Sequence, residues 1–135
     1  MTSFVVDASV FIEALFGTSR SAPLIGLMEG AEISLHAPAL CDVEVTSALV
    51  RLVRECVISA ERAAGALTDY LDLAIERHGH QALLQRALEL RNNFTPYDAV
   101  YVALSERLGA PLLTADTRLA RAVRLQTSVR VLPEG

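Results

Sequence analysis

Lysine is absent from this sequence of 135 residues, and the twelve strongly basic side chains are all arginines. P-loop enzymes, receiver domains and haloacid-dehalogenase-like phosphatases each place a lysine beside a phosphoryl group. The Asp-x-Asp motif of those phosphatases is missing as well, because Asp7 is followed by Ala8 and Ser9. A phosphoryl-transfer α/β domain is therefore the least favoured of the alternative functions.

Long apolar runs and a basic amino-terminal segment are absent too. No run approaches the roughly 20 apolar residues that span a bilayer, and Asp7 interrupts the apolar opening stretch. We therefore expect no membrane span and no signal peptide. The two cysteines, Cys41 and Cys56, fall in or next to one helical pattern and cannot easily meet. We expect both to be small buried apolar residues in a protein of the reducing cytoplasm.

Charged residues are scarce at 21%, whereas hydrophobic residues make up 52% of the chain. The length suffices for one sizeable core, which predicts a single domain over residues 1–135. Part of the apolar excess is expected to face a partner or a second copy. The net charge of −4 opposes nucleic-acid binding, which usually needs a positive field, unless the acids hold a divalent metal.

Short apolar strands alternate with helical patterns along the chain. The expected strands are Phe4–Val6, Glu32–His36, Pro111–Thr114 and an edge strand at Val129–Val131. Leu73–Ile75 fits either a strand or the tail of a helix. The expected helices span residues 8–16, 21–29, 38–54, 59–73, 80–91, 96–108 and 116–124. The alternation predicts an α/β/α sandwich with a central, mainly parallel sheet.

Two of these helices carry sequence signals at their first residues. Pro38 is expected in the first turn of its helix, where a missing N–H costs nothing. Thr95 followed by Pro96 predicts a threonine N-cap with proline at the first helical position. The second helix is expected to run to Leu108 and to end at Gly109.

Two aspartates follow strands and should share the crevice at the carboxyl ends of a parallel sheet. Asp7 ends the first strand, and Asp116 follows the strand around Leu112–Thr114 with one alanine between them. An aspartate after a strand also commonly caps a helix, and for Asp116 the capping role is an equal alternative.

Two further acids lie on apolar helices. Asp98 follows Thr95 by three residues in a helix that is apolar nearly all round, so its carboxylate should be partly buried. Glu44 borders the apolar stripe of its helix, whereas Asp42 lies about 160° away and reads as an early-turn acid stabilised by the helix dipole. No lysine can neutralise the four acids, and arginines do not follow them at helical spacing, except Arg51 one wheel position from Glu44. Carboxylates that converge without basic partners would repel one another, and Mg²⁺ or Mn²⁺ would relieve that repulsion.

Four motifs resemble those of PIN-domain proteins, and their order and spacing resemble the VapC-type toxins of bacterial toxin–antitoxin pairs. They are FVVDASV at 4–10, PALCDVEV at 38–45, TPYDAVYVAL at 95–104 and LLTADTRL at 112–119. The resemblance covers nearly the whole chain. One departure is Ser47, where these toxins often carry asparagine.

The resemblance implies an Mg²⁺- or Mn²⁺-dependent endoribonuclease with Asp7, Glu44, Asp98 and Asp116 as the acidic, metal-binding site. Its usual supporting hydroxyls correspond to Ser9 and Thr114. The resemblance also implies RNA as substrate, a homodimer, and inhibition by a small VapB-type antitoxin. A PIN-like domain that only binds a partner is the alternative, and the presence of all four acids argues against it.

The inhibitory partner is expected to lay an apolar face on the early helices. The expected contact surface is around Leu15, Phe16, Leu24 and Leu27, each of which is also a plausible core residue. We further expect the partner to send an arginine or lysine toward the acids.

For several other candidate residues, a structural interpretation stands beside the functional one. Arg118, Arg121 and Arg124 recur every three residues and fit either an RNA-binding stripe or a solvated helix face. The run His78-Gly79-His80 suggests a metal pair, but surface histidines are the commoner case. His36, at a strand end, is expected to be satisfied or exposed. Tyr101 is expected in the core with its hydroxyl reaching the rim, and Tyr97 is left open between packing and base stacking.

Overall fold

Five strands form an all-parallel sheet in the computed structural model, which describes residues 1–17 and 21–134. The strands are β1 (Thr2–Val6), β2 (Ile33–Pro38), β3 (Ile75–His78), β4 (Leu112–Leu113) and β5 (Val131–Leu132). Their order across the sheet is β3–β2–β1–β4–β5. The chain builds outward from β1 to β3 and then restarts on the other side with β4. A reversal of this kind opens a crevice beyond the carboxyl ends of β1 and β4.

Within residues 1–17 and 21–134, seven α-helices and one short 3₁₀ turn connect the strands. They are α1 (Ala8–Phe16), α2 (Ser21–Met28), α3 (Leu40–Arg54), α4 (Ala60–Leu71), the turn Gln81–Leu83, α5 (Leu84–Glu89), α6 (Pro96–Leu108) and α7 (Thr117–Gln126). This architecture confirms the predicted α/β/α arrangement with a parallel sheet. Among the described helices, none has the length and hydropathy that a membrane span requires.

The local signals at α6 are confirmed. Thr95 Oγ1 accepts the N–H of Asp98 at 3.2 Å, and Pro96 is the first helical residue. The helix ends at Gly109, whose φ of 62° lies in the left-handed region that glycine tolerates best. Residues 99–105 are all buried, as the apolar character around the whole helix predicted. Asp98 is thereby held at the crevice end of a helix anchored in the core.

Several predicted boundaries were wrong. Pro38 ends β2 and does not open a helix, because the strand continues through Ala37 and α3 begins only at Leu40. The segment Leu73–Ile75 is mostly loop, and β3 starts at Ile75. The edge strand lies at Val131–Leu132, slightly beyond the predicted Val129–Val131. The helix expected over residues 80–91 is a 3₁₀ turn followed by the short α5.

The cysteine prediction was half right. Both thiols are free, and Cys41 on α3 is fully buried. Cys56 is exposed and has a φ of 59°, in the turn that follows α3. The helical pattern ends before Cys56, so its side chain leaves the apolar stripe that buries Cys41.

The apolar surface expected on the early helices is largely core. Leu24 is 3% exposed, and Leu15, Phe16 and Leu27 are partly buried against the core. The core interpretation is therefore correct for Leu24, whereas Leu15, Phe16 and Leu27 keep part of their surface exposed, and a partner contact on that exposed part stays a prediction.

Candidate active site

Asp7 lies in the crevice, directly after the central strand β1, and is 8% exposed. It holds the N-cap position of α1, yet its carboxylate makes no capping hydrogen bond. Instead its Oδ2 accepts two hydroxyl hydrogens, from Ser9 Oγ at 2.7 Å and from Thr114 Oγ1 at 2.8 Å. The simple explanation for an aspartate after a strand, helix capping, therefore does not account for this side chain.

Ser9 and Thr114 connect Asp7 to the loop that follows β4. Ser9 Oγ accepts the backbone N–H of Ala115 at 3.0 Å, and Thr114 Oγ1 accepts the N–H of Asp116 at 3.0 Å. Each hydroxyl thus donates to Asp7 and accepts from the backbone, which fixes its orientation. The structure thus brings both hydroxyls to the Asp7 carboxylate, and their supporting role in catalysis stays a prediction.

The second carboxylate oxygen of Asp7, Oδ1, has no partner in the described part of the chain. Among the described residues, none donates a hydrogen bond to Asp7 Oδ1, and none places a cation within salt-bridge distance of this carboxylate. Burial raises the pKa of Asp7, the hydroxyls of Ser9 and Thr114 lower it, and the charges of Asp116 and Asp98 raise it again. A buried anion of this kind gains from any cation that reaches it.

Glu44 reaches the same crevice from α3 and is held by Tyr101. The tyrosine hydroxyl donates to Glu44 Oε1 at 2.6 Å, and Tyr101 is 1% exposed. Burial raises the pKa of Glu44, the hydrogen bond from Tyr101 lowers it, and the charges of Asp7 and Asp98 raise it. The expectation that the Tyr101 hydroxyl reaches the rim is confirmed, but sequence reasoning did not identify Glu44 as its partner.

Asp98 and Asp116 face one another across Arg118. Arg118 Nη2 lies 3.2 Å from Asp98 Oδ2 and 3.7 Å from Asp116 Oδ2. Asp116 also caps α7, because its Oδ1 accepts the N–H groups of Arg118 and Leu119. The expectation that no basic side chain serves the acids was wrong. Helical spacing could not reveal this partner, because Arg118 reaches Asp98 across 20 positions of sequence.

Asp42 lies outside the site, as its position on the helical wheel predicted. Its role as a simple early-turn acid was an incomplete interpretation. Its carboxylate accepts from Tyr70 Oη at 2.6 Å and pairs with Arg77 Nε at 2.9 Å. Asp42 therefore fastens α3 to α4 and β3 and has no part in the crevice.

The three arginines on α7 have different surroundings. Arg118 pairs with site acids, and Arg124 Nη2 donates to the backbone oxygens of Val131 at 3.4 Å and Pro133 at 2.9 Å. Arg121 is exposed and has no hydrogen bond or ion pair with the described residues. A cleft of about 920 Å³ extends from Thr114 and Asp116 along α7. Its further lining includes Pro23, Leu24, Arg121, Arg124 and Leu125.

The other candidate residues lie outside the acidic crevice or at exposed positions. Tyr97 is 63% exposed at the start of α6, so it is not a core residue. Ser47 is exposed on α3. His36 is buried and hydrogen-bonded, as one of its two predicted states required. His80 Nε2 accepts the N–H of Leu40 at 2.9 Å, so it does not form a metal pair with His78.

The site acids form one electrostatic cluster, although their oxygens are spread out. Among the described residues, only His36, Glu76 and His78 bring three potential metal-ligand atoms within 4.8 Å of one another. The carboxylates of Asp7, Glu44, Asp98 and Asp116 therefore line a crevice and do not form a tight cage. Such a crevice can take a hydrated hard cation, which keeps several of its own waters.

The comparisons of this chain with known proteins agree on one protein family. The PIN domain model matches residues 4–125. Ribonuclease VapC1 of Mycobacterium tuberculosis is 41% identical over 134 residues, covering 98% of this chain and 99% of the relative.

Two solved structures share the fold at lower identity. The Mycobacterium tuberculosis toxin VapC20, described as cleaving the sarcin–ricin loop, superposes with a TM-score of 0.66 at 17% identity, covering 88% of this chain and 94% of that one. A chain of a toxin–antitoxin complex from Klebsiella pneumoniae gives a TM-score of 0.55 at 18% identity, covering 84% and 86%. The chain belongs to the PIN-domain family, in the part of it that contains the VapC ribonucleases.

Proposed function

We propose that this protein is a metal-dependent endoribonuclease that hydrolyses RNA phosphodiester bonds, with Asp7, Glu44, Asp98 and Asp116 as its catalytic acids. The observation that carries the proposal is the state of Asp7. Its carboxylate is buried, is oriented by two hydroxyls and lies near other acids, and among the described residues it has no donor at Oδ1 and no cation at salt-bridge distance. A close relative across nearly the full chain is a ribonuclease, which supplies the substrate class.

The donor set fits Mg²⁺ or Mn²⁺. Every candidate ligand is a carboxylate or hydroxyl oxygen, the atom type that these hard cations prefer. Asp7 and Asp98 would bind directly, and Glu44 would bind through water or orient the nucleophile. When bound, the ion activates water and neutralises charge that develops on the phosphate.

The chain's own residues then have distinct tasks. Ser9 and Thr114 fix the orientation of the Asp7 carboxylate through two hydrogen bonds to Oδ2, which leaves Oδ1 without a donor among the described residues. Tyr101 holds Glu44 with a short hydrogen bond from inside the core. The Oδ1 atom of Asp116 caps α7, so only Oδ2 is available to the site. This arrangement suits a supporting role for Asp116.

RNA is proposed to enter along the cleft beside α7. The cleft begins at Asp116, and Arg121 lines it. Arg121 has no partner among the described residues, so its guanidinium is free to contact a phosphate. Arg124 is less suited to that role because it already donates to two backbone oxygens. Arg118 must release the acids before it can contact RNA.

We also propose that the protein acts in the cytoplasm as the toxin of a type II toxin–antitoxin pair, restrained by a small VapB-type antitoxin. The family and the resemblance to VapC toxins support this partner.

The same resemblance supports a homodimer. The exposed apolar side chains of Val43 and Val50 on α3 offer a surface that a second copy of the chain would cover. Residues 1–135 are proposed to form one PIN domain.

The test is RNA cleavage in Mg²⁺ by the purified chain and by Asp98→Asn. The exposed Asp69 on α4 provides a matched control, Asp69→Asn, which changes a carboxylate to an amide away from the site. We expect Asp98→Asn to lose at least about 100-fold in rate, because it removes a direct ligand. The control should cleave at the wild-type rate. Cleavage by Asp98→Asn at the wild-type rate, or no cleavage by the wild type, would reject the proposal.

A further inference from the structure

Three metal-ligating side chains lie together on β2 and β3, outside the acidic crevice. His36 Nδ1 is 2.9 Å from His78 Nε2 and 3.3 Å from Glu76 Oε2. All three ligand atoms lie within 4.8 Å of one another. The sequence placed these residues 42 positions apart at most, and only the strand pairing brings them together.

The parallel register of β2 and β3 creates this cluster. His36 pairs with Glu76, and Pro38 pairs with His78. Since side chains alternate along a strand, Glu76 and His78 share the face on which His36 lies. Arg77 points to the opposite face, where it pairs with Asp42 at 2.9 Å. The arginine of β3 therefore does not compete for the Glu76 carboxylate.

The hydrogen bonding around His36 leaves its Nδ1 atom facing two potential metal-ligand atoms. Ser34 Oγ lies 2.9 Å from His36 Nε2. When Nε2–H donates to this hydroxyl, the lone pair of His36 Nδ1 faces both His78 Nε2 and Glu76 Oε2. A single proton can bridge only one pair of these three atoms, whereas a metal ion satisfies all three. The Ser34 contact is also the outer hydrogen bond that metal-binding histidines almost always make.

We propose that His36, His78 and Glu76 form a second metal site, selective for Zn²⁺-class transition metals. Two imidazole nitrogens and a carboxylate oxygen are a frequent zinc ligand set, with water as a fourth ligand. Two nitrogens on one tetrahedral zinc lie about 3.3 Å apart, so the 2.9 Å spacing of the rings needs to open by only a few tenths of an ångström.

The surroundings allow an ion to enter and give the site a structural consequence. Glu76 is 65% exposed at the side chain, and His78 lines a cleft of about 440 Å³ that also reaches Arg107. The ion would fasten the edge strand β3 to β2. The His78 carbonyl accepts the N–H of Ala39 at 2.8 Å, just before α3. Zinc would therefore also stabilise the start of the helix that carries Glu44.

The test is Zn²⁺ binding by calorimetry in excess Mg²⁺, which keeps hard-cation sites occupied. We expect one Zn²⁺ per chain, a rise in melting temperature with zinc, and, when Co²⁺ replaces Zn²⁺, the visible absorption of a four-coordinate nitrogen and oxygen site. Glu76→Gln, at an exposed position, and His78→Gln should each weaken binding by about ten-fold or more, and Ser34→Ala by about ten-fold.

Two variants serve as matched controls. His80→Gln changes a neighbouring histidine whose Nε2 already accepts a backbone N–H, and it should bind zinc like the wild type. Asp98→Asn changes the acidic crevice and should also retain zinc binding. Circular dichroism and melting without metal show whether each variant folds.

The results separate the proposal from its competitors. Absence of zinc binding, or zinc binding that survives both Glu76→Gln and His78→Gln, would overturn it in favour of a plain hydrogen bond between the rings. Zinc binding lost only in Asp98→Asn would assign the ion to the acidic crevice. The proposal does not depend on ribonuclease activity.

Discussion

Arg118 lies against Asp98, with 3.2 Å between Nη2 and Oδ2. The guanidinium also lies 3.7 Å from Asp116 Oδ2. A cation from α7 therefore sits beside two acids of the site. The Arg118 side chain is 74% exposed and so can swing away at little cost. This contact makes Arg118 a competitor of any cation that enters the crevice, whether a metal ion or a partner's side chain.

The first prediction concerns this competition. Arg118→Gln should lower the Mg²⁺ concentration for half-maximal thermal stabilisation by roughly three- to ten-fold, because two carboxylates lose their internal cation. Arg121→Gln, on the same helix but unpaired, is the control and should leave that concentration unchanged. The measurement is melting temperature against Mg²⁺ concentration. An identical Mg²⁺ dependence for Arg118→Gln and wild type would show that the ion pair does not compete with metal.

The second prediction concerns the charge of Asp7. Its pKa is raised above the unfolded value, chiefly by burial, so its contribution to stability is present at low pH and lost as the pH rises through the folded value. Asp7→Asn should therefore melt higher than the wild type at neutral pH in EDTA, by about 4 °C for each 1 kcal/mol recovered. Mg²⁺ should stabilise the wild type and not the variant. A lower melting temperature for the variant in EDTA would contradict the repulsion argument.

The third prediction concerns Tyr101 and Glu44. Tyr101→Phe removes the hydrogen bond to Glu44 Oε1 and should cost about 1–2 kcal/mol of unfolding free energy. That bond lowers the pKa of Glu44, so its loss should raise the pKa further. The acid limb of the RNA-cleavage pH profile should then move to higher pH, measured as rate against pH. Tyr97→Phe, at an exposed hydroxyl, is the control. An unmoved acid limb would mean that Glu44 does not titrate in the catalytic range.

The fourth prediction concerns the antitoxin. An arginine or lysine of the partner that enters the crevice should weaken Mg²⁺ binding in the complex, measured by calorimetry. Neutralising that side chain should restore cleavage without abolishing binding. Inhibition that survives the change, with Mg²⁺ affinity unaltered, would show that the partner blocks the enzyme in another way.

The fifth prediction is a homodimer at micromolar concentration, measured by sedimentation velocity. Its motivation is the high apolar content of a short chain and the exposed Val43 and Val50 on α3. Val43→Ser is expected to shift the distribution toward monomer, whereas Leu125→Ser on α7 is the control. Sedimentation as a monomer at every concentration tested would rule the dimer out.

Local features that depend on neighbouring residues were predictable from the amino-acid sequence. The cap at Thr95, the glycine end at Gly109 and the burial of α6 each follow from a few consecutive side chains and their periodicity. The positions of Asp7 and Asp116 at strand ends followed from the alternation of strands and helices, because parallel strands end at one edge. The helical wheel placed Glu44 beside the apolar stripe of its helix, and the family motifs then indicated Ser9 and Thr114.

Contacts between side chains that are distant in sequence became visible only in the folded chain. The pairing of Arg118 with Asp98, the hydrogen bond from Tyr101 to Glu44 and the grouping of His36 with His78 join residues 20, 57 and 42 positions apart. Such contacts depend on strand register and helix packing, which no local pattern encodes. The boundary at Pro38 was likewise set by pairing with β3, since a strand continues for as long as a neighbour supplies hydrogen bonds.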